Sequence, residues 1–207
     1  MEQHAAAHGA HEHYDPIGSK LGMWLFIFTE ILLFGALFIV YSVYRYRHPV
    51  EFHLAHQELN VFIGFVNTVI LLISSATVAM SITAMQKGDK KMTLAYLTIT
   101  LLLALVFLVN KYFEWGAKIH HGIYPGSEFL LSLSQGDILF FGLYFFMTGL
   151  HAIHIIVGMV LLGWVFVRVK QGRVNQERYV FLENGGLYWH LVDLIWIFLF
   201  PLFYLIH

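Results

Sequence analysis

Glu30 is a carboxyl group inside a long apolar stretch, a setting in which an ionised side chain is costly and is often functional. No residue near it in the sequence can neutralise it, so we expect it to be protonated or paired with a residue of another helix. One interpretation is a carboxyl group that handles protons or has a regulatory role. The other is a neutral acid that is hydrogen-bonded to a neighbouring helix, and the sequence leaves both open.

Two histidines in the fourth apolar stretch could bind a metal. His151, His154 and Gly158 are spaced i, i+3 and i+7, so they share one face of a helix. Two histidines one turn apart cannot be the two axial ligands of one haem, which needs partners on opposite sides. His190 is the one further histidine in an apolar stretch, too few for a two-haem cytochrome. We therefore favour structural or lipid-headgroup contacts over metal ligation.

Polar residues recur with helical spacing in two further stretches. In the fifth, Glu183, His190 and Asp193 can face one side, and His190 and Asp193 could pair within the helix. We interpret this face as a structural polar network rather than a catalytic site. In the second, Asn67, Ser74 and Ser81 share a face that Thr77 borders. Such stripes usually serve helix packing and interhelical hydrogen bonds.

The elements that position these residues are membrane-spanning helices. The chain has 207 residues, of which 58% are hydrophobic and 12% charged, against about 25% charged in an ordinary soluble domain. Each apolar stretch exceeds or approaches the length of about 20 residues that crosses a bilayer as a helix. The stretches cover about 21–44, 61–85, 92–109, 138–167 and 181–206. The sequence therefore predicts an all-α bundle of five transmembrane helices over 20–207.

Composition excludes several other classes of protein. There is no cysteine, which rules out disulfides, thiolate metal sites and a cysteine nucleophile. The net charge of −1 gives no basic surface for nucleic acid. Residues 1–19 form a polar tail whose histidines could bind a metal loosely, although a solvated tail is the simpler interpretation. These histidines are His4, His8, His11 and His13.

Basic residues predict the orientation in the membrane. Eight of the twelve fall on the side of the N-terminus: Lys20, Lys87, Lys90, Lys91, Arg168, Lys170, Arg173 and Arg178. The other side holds Arg45, Arg47, Lys111 and Lys118, with the last two in a link predicted over 110–137. The N-terminus is therefore expected to be cytoplasmic and the C-terminus periplasmic.

Several strings of residues, in order along the chain, resemble subunit III of the haem–copper terminal oxidases. They are Gly22-Met23-Trp24-Leu25-Phe26 with Thr29-Glu30; Asn67-Thr68 with Ser74-Ser75 and Thr77; Tyr112-Phe113-Glu114-Trp115; Gly149-Leu150-His151-Ala152-Ile153-His154 with Gly158; and Glu183 with Tyr188-Trp189-His190-Leu191-Val192-Asp193 and Trp196. Long members of that family have seven helices. By this resemblance the chain would lack the first two, as the quinol-oxidase and several bacterial versions do.

The resemblance implies a non-catalytic subunit of a cytochrome c or quinol oxidase of aerobic respiration in the bacterial cytoplasmic membrane. Haem and copper belong to subunit I, the main partner; subunit II and a small subunit IV are further neighbours. The subunit holds phospholipids in a cleft through which oxygen reaches subunit I, and it supports proton uptake. Glu30 would be the intramembrane carboxyl group near this region. Polar contacts between helices or with lipids would come from Asn67, Ser74, Glu114, His151, His154, Glu183, Trp189, His190 and Asp193.

Three alternatives remain open on the sequence. The first is an accessory protein of nitric oxide reductase, which shares the fold. The genes that neighbour this one would distinguish it from an oxidase subunit. A membrane cytochrome would give a stoichiometric Soret band. A small proton transporter using Glu30 would show flux when reconstituted alone, although the broken helices or related halves usual in transporters are not visible.

Overall fold

The computed structural model describes residues 15–206, which fold into helices joined by short turns. The helices are α1 (Pro16–Arg47), α2 (Pro49–His56), α3 (Val61–Gln86), α4 (Lys90–His120), α5 (Glu128–Leu131), α6 (Gln135–Lys170) and α7 (Val180–Tyr204). Within this part of the chain, α1, α3, α4, α6 and α7 are long and apolar enough to cross a membrane. The predicted bundle of five transmembrane helices is confirmed.

The five long helices alternate in direction, which gives the bundle two ends. At the Lys20 end, α1, α4 and α7 begin and α3 and α6 end. At the Arg47 end, the directions are reversed, and the short helices α2 and α5 lie in the connections there. Helix α6 has 36 residues and is about 54 Å long at about 1.5 Å per residue. Because the hydrocarbon core is about 30 Å thick, α6 must tilt or extend beyond it.

The first helix begins earlier than the sequence predicted. Residues 16–19, which we had assigned to the polar tail, belong to α1. The reason is the N-cap: the carboxylate of Asp15 accepts hydrogen bonds from the backbone N–H groups of Ile17 at 3.1 Å and Gly18 at 2.9 Å. The histidines of the tail lie outside the described residues.

The largest correction concerns the third transmembrane helix. The apolar stretch ends at Val109, and the link was predicted from 110, but α4 continues to His120. Its buried residues keep one helical face throughout, at positions 93, 97, 100, 104, 107, 111, 114 and 118. The helix continues because the polar side chains at the end of this face, including Lys111 and Glu114, are paired inside the bundle.

Helix α7 is central and α1 is peripheral. In the most apolar window of each helix, 56% of the α7 residues are buried, against 11% of the α1 residues. Helix α7 packs against α1, α3 and α6, and α4 packs against α3 and α6. A helix with so few buried residues needs specific contacts to hold it, and α1 has such contacts at three levels.

Polar contacts attach α1 to the bundle near each end and in the middle. At the Lys20 end, the ammonium group of Lys20 lies 2.7 Å from the carboxylate of Glu183. In the middle, Glu30 contacts His154 of α6. Towards the Arg47 end, the hydroxyl of Tyr41 donates to the backbone carbonyl of Leu202. The three contacts fix the height of α1 against its neighbours, while most of its apolar side chains stay exposed.

Candidate functional site: polar groups and an apolar groove inside the bundle

Glu30 is paired with His154, one turn of α6 away from His151. Oε2 of Glu30 lies 2.9 Å from Nε2 of His154, and both side chains are mostly buried, at 14% and 13% exposure. The other ring nitrogen, Nδ1, lies 2.8 Å from the backbone carbonyl of Leu150. The edge of the Phe34 ring packs against the imidazole, with ring centroids 5.3 Å apart. The expectation that Glu30 is either protonated or paired is met by a contact between α1 and α6.

The geometry of this pair determines how many protons it holds. A backbone carbonyl only accepts, so Nδ1 of His154 must carry a proton. One further proton then lies between Nε2 and the carboxyl group of Glu30. The pair is either imidazolium with carboxylate or neutral imidazole with carboxylic acid, and both forms have no net charge. Such a pair can exchange a proton internally without placing a net charge in the membrane.

A second polar cluster, around Glu114, lies nearer the Arg47 end. The ammonium group of Lys111 donates to Oε2 of Glu114 at 3.0 Å. It also donates to the hydroxyls of Tyr204 at 2.7 Å and Tyr144 at 3.3 Å. Both hydroxyls in turn donate to Oε1 of Glu114, the one of Tyr144 at 2.7 Å. Each proton of the ammonium group therefore has an acceptor, and α4, α6 and α7 are joined at one point.

Lys111 was not among the residues that we selected from the sequence, because we placed it in a link. Lys111 is 4% exposed and Glu114 6%, so both are core residues. The ammonium group also lies 5.0 Å from the centre of the Trp196 ring, a distance suited to a cation–π contact. The sequence did contain a signal that Lys111 is a core residue. Lys111, Glu114 and Lys118 are spaced i, i+3 and i+7, which continues the apolar face of α4.

The polar face of α3 bonds to two different helices. Asn110 of α4 donates to Oδ1 of Asn67 at 2.9 Å, and Thr77 shares a hydrogen bond of 2.7 Å with Thr100 of α4. Towards α7, the indole N–H of Trp189 donates to the hydroxyl of Ser74 at 3.1 Å. Helix α3 is thus bonded to α4 on one side and α7 on the other. Ser81 lies on the same face and donates to its own helix, at the carbonyl of Val78.

The three polar residues of α7 do not form the single network that the sequence predicted. Glu183 pairs with Lys20, as described above. Nδ1 of His190 lies 2.6 Å from the hydroxyl of Ser75 on α3. Asp193 is 3% exposed and makes no direct contact with His190, and the side chain of Ser75 lies close to it as well. The predicted pairing of His190 with Asp193 is wrong, because a residue of α3 offers His190 a better placed hydroxyl than its own helix does.

The histidines of α6 point to different surroundings. His151 is fully buried and stacks on the ring of Trp196, with centroids 5.2 Å apart. His154 contacts Glu30 instead. Across residues 15–206, the structure places no group of three or more His, Cys, Asp or Glu side chains where they could hold a metal ion. These two histidines therefore have separate roles in packing and in the contact to α1.

An apolar groove of about 220 Å³ lies between α1 and α7, and Phe34, which lines it, packs against the ring of His154. We call it the α1–α7 groove, and it is lined by Ile31, Phe34, Gly35, Phe38, Leu191, Leu194, Ile195 and Phe198. Phe38 also borders a wider depression of about 590 Å³ near the Arg47 end, where Ser42, Tyr46 and Arg47 supply polar groups. The two cavities adjoin at Phe38. Together they leave a largely apolar surface along α1, with Arg47 at one end.

Comparison with known proteins gives consistent matches over nearly the whole chain. The family model described as cytochrome c oxidase subunit III matches residues 1–207. A cytochrome c oxidase subunit 3 from Thermostichus vulcanus is 30% identical over 95% of this chain and 90% of its own length. A probable quinol oxidase subunit 3 from Staphylococcus saprophyticus is 29% identical, over 91% of this chain and 89% of its own. A haem–copper oxidase subunit I+III from Aeropyrum pernix is 29% identical over 90% of this chain, which covers 22% of that longer protein.

Proposed function

The chain belongs to the cytochrome c oxidase subunit III family, and on this premise we propose that it is the non-catalytic subunit III of a proton-pumping haem–copper terminal oxidase of aerobic respiration. The match over residues 1–207 is the observation that carries the proposal. Relatives named for cytochrome c and for quinol match almost equally, at 30% and 29% identity, so the proposal covers both electron donors. Haem and copper are assigned to the partner, and this chain contributes packing, lipid binding and proton electrostatics.

The proposed main partner is subunit I, with subunit II and a small subunit IV as further neighbours. One relative is named as subunits I and III in a single protein, which supports direct contact between the two. Helix α1 leaves many large apolar side chains exposed, among them Trp24, Phe28 and Leu32. In a membrane such a surface is available to lipid and to a partner helix alike.

We assign phospholipid to the α1–α7 groove. Its lining is apolar, which suits an acyl chain, and the adjoining depression brings Arg47 and Tyr46 to the level where a headgroup would lie. Oxygen is nonpolar and partitions into such a lipid-filled space. The groove would thereby concentrate oxygen at the surface of this subunit and supply it to subunit I.

The Glu30–His154 pair supports a role in proton uptake. The pair lies next to Phe34, which lines the groove, and its two side chains are within hydrogen-bonding distance in an apolar setting. Because both proton positions give a pair without net charge, a shift of the proton between the two side chains leaves no net charge in the membrane. Glu30 is therefore the residue of this chain that we assign to the support of proton uptake.

The orientation proposed from the basic residues remains N-terminus in the cytoplasm and C-terminus in the periplasm, in a bacterial cytoplasmic membrane. The Lys20 end carries most of the lysines and arginines of the turns and helix ends, including Lys87, Arg168 and Arg173. At the Arg47 end, Lys111 and Lys118 are buried inside α4 rather than exposed in a loop. This strengthens the bias towards the Lys20 end, because buried, paired lysines do not act as topological signals in a loop.

Replacing Glu30 by Gln should leave the oxidase assembled and active. The amide N–H₂ of Gln can donate to Nε2 of His154, so the contact between α1 and α6 is kept. Glu30→Leu leaves that nitrogen unpaired, at a cost of about 1–3 kcal/mol, and should lower the thermal unfolding midpoint of the complex. Oxygen consumption and thermal unfolding of the purified oxidase are the measurements. If the Glu30→Gln oxidase failed to assemble, assembly would require the proton that Glu30 and His154 share, and the role of Glu30 would be structural.

The central experiment is isolation of the chain in mild detergent and identification of its partners. Subunit I should co-purify in equal amount, and the haem absorbance should belong to subunit I. A stoichiometric Soret band from this chain alone would contradict the proposal. So would a chain that is stable and functional without an oxidase core.

His190→Ala tests the structural role of the α3–α7 contact. Loss of the hydrogen bond to Ser75 should weaken retention of this subunit by about 0.6–1.7 kcal/mol, the range for interhelical hydrogen bonds in membranes. Turnover of the complexes that still contain it should be unchanged. His53→Ala is the matched control, because His53 is exposed on α2. Normal retention combined with lost oxygen chemistry would contradict this assignment.

A further inference from the structure

The turn between α3 and α4 forms a pocket that the function above does not use. Its volume is about 330 Å³, within the range of about 300–1,000 Å³ typical of ligand sites. We call it the α3–α4 pocket, and it is lined by Met80, Thr83, Ala84, Lys87, Asp89, Met92 and Tyr96. It lies at the Lys20 end, on the side of the bundle formed by α3 and α4.

The pocket runs from the level of lipid headgroups into the hydrocarbon. Lys87 and Asp89 lie in the turn, and Tyr96 lies seven residues further along α4. At about 1.5 Å per residue, this is a depth of about 10 Å. Headgroup layers are about 5–8 Å thick on each side of the hydrocarbon core. The polar groups of the turn therefore lie among headgroups, and Met80 lies where acyl chains begin.

The charges of the turn leave Lys87 available. Asp89 caps α4, and its carboxylate accepts the backbone N–H of Met92 at 3.0 Å. Lys90 donates to the backbone carbonyl of Lys170 at 2.9 Å. Among residues 15–206, neither the ammonium group of Lys87 nor the hydroxyl of Tyr96 has a hydrogen-bond partner. The pocket thus presents a cation in the turn, with a hydroxyl group and two methionines along its walls.

The same end of the bundle is positively charged over a wide area. Besides Lys87 and Lys90, it carries Lys91, Arg168, Lys170 and Arg173, and the nearby acid Glu183 is paired with Lys20. The charge is complementary to an anionic membrane surface. The apolar lower part of the pocket favours a ligand with a hydrocarbon chain over a free anion.

We propose that the α3–α4 pocket binds one anionic glycerophospholipid of the adjacent leaflet, with its phosphate at Lys87 and an acyl chain along Met80 and Met92. The site is on the far side of α3 from the α1–α7 groove, since α3 lies between α4 and α7. It would fix the turn between α3 and α4 at the membrane surface. The proposal requires no particular electron donor or partner.

The test uses the purified oxidase in bilayer nanodiscs that contain a photoactivatable phosphatidylglycerol. After illumination and digestion, the label should map to residues 80–96. Lys87→Gln should reduce labelling at this site about fivefold, the factor that corresponds to about 1 kcal/mol. Lys87→Arg should retain it. Unlabelled phosphatidylglycerol should displace the probe, whereas phosphatidylcholine and inorganic phosphate should not.

Arg173→Gln is the matched control. It removes one positive charge from the same end of the bundle outside the pocket, so labelling of residues 80–96 should not change. An equal loss in both variants would mean that the lipid follows surface charge alone, and the proposal would be overturned. Absence of label in this segment of the wild-type protein, or displacement by phosphate, would overturn it as well.

Discussion

Glu114→Gln is expected to destabilise the chain by about 3–5 kcal/mol, the cost of leaving one member of a buried ion pair without its partner. The ammonium group of Lys111, in a residue that is 4% exposed, would keep the two tyrosine hydroxyls but lose the carboxylate that pairs with it. The hydroxyls of Tyr144 and Tyr204 could still donate to the amide oxygen, so the loss falls on the ion pair with Lys111. Thermal unfolding and retention of this subunit in the purified oxidase are the measurements.

The double variant Lys111→Met/Glu114→Gln is the control for this prediction. It removes the unpaired cation while keeping an acceptor for both tyrosine hydroxyls, so most of the lost stability should return. A Glu114→Gln protein as stable as the wild type would contradict the prediction. The same holds for a double variant no more stable than Glu114→Gln, because the loss would then not come from a buried charge.

Gly158→Ala is the second change with a large expected effect, about 1–3 kcal/mol of lost stability from overpacking. A Cβ atom at Gly158 would lie 2.8 Å from Cε3 and 2.9 Å from Cζ3 of Trp189. The indole cannot move away freely, because it is fully buried and its N–H is bonded to Ser74. The added methyl group must therefore separate α6 from α7. Thermal unfolding of the purified complex measures the effect.

Gly163→Ala provides the matched comparison on the same helix. A Cβ atom there meets no atom within 4 Å, and alanine favours the helix over glycine. We therefore expect unchanged or slightly higher stability. If both alanine variants behave alike, close packing at Gly158 is not what limits this helix contact.

Periodicity in the sequence was a good guide where burial follows one continuous face. It placed Asn67, Ser74 and Ser81 on one side of α3, and all three are buried there. It could not say that Asn67 faces α4 while Ser74 faces α7. A helical spacing defines a direction around one axis, whereas a partner depends on which helix lies in that direction. The same limit applies to Glu30, whose partner is 124 residues away.

Hydropathy was a poor guide where polar residues are paired inside the bundle. It ended the third transmembrane helix at Val109, because Asn110 and Lys111 look like the start of a loop. Their partners, Asn67 and Tyr204, come from helices far away in the sequence. The error with His190 had the opposite form. Its neighbour in sequence, Asp193, looked like its partner, while Ser75 of α3 takes that place.

The sequence by itself determined the class of protein, the number of membrane-spanning helices and the family. These depend on composition, on the length of apolar stretches and on local strings of residues, all of which can be read along one chain. The tertiary structure alone decided the partners: Glu30 with His154, Glu114 with Lys111 and two tyrosines, and Gly158 against Trp189. The physical reason is that a buried polar or closely packed group is stabilised by atoms brought near it in space, and helix packing, rather than sequence distance, sets which atoms those are.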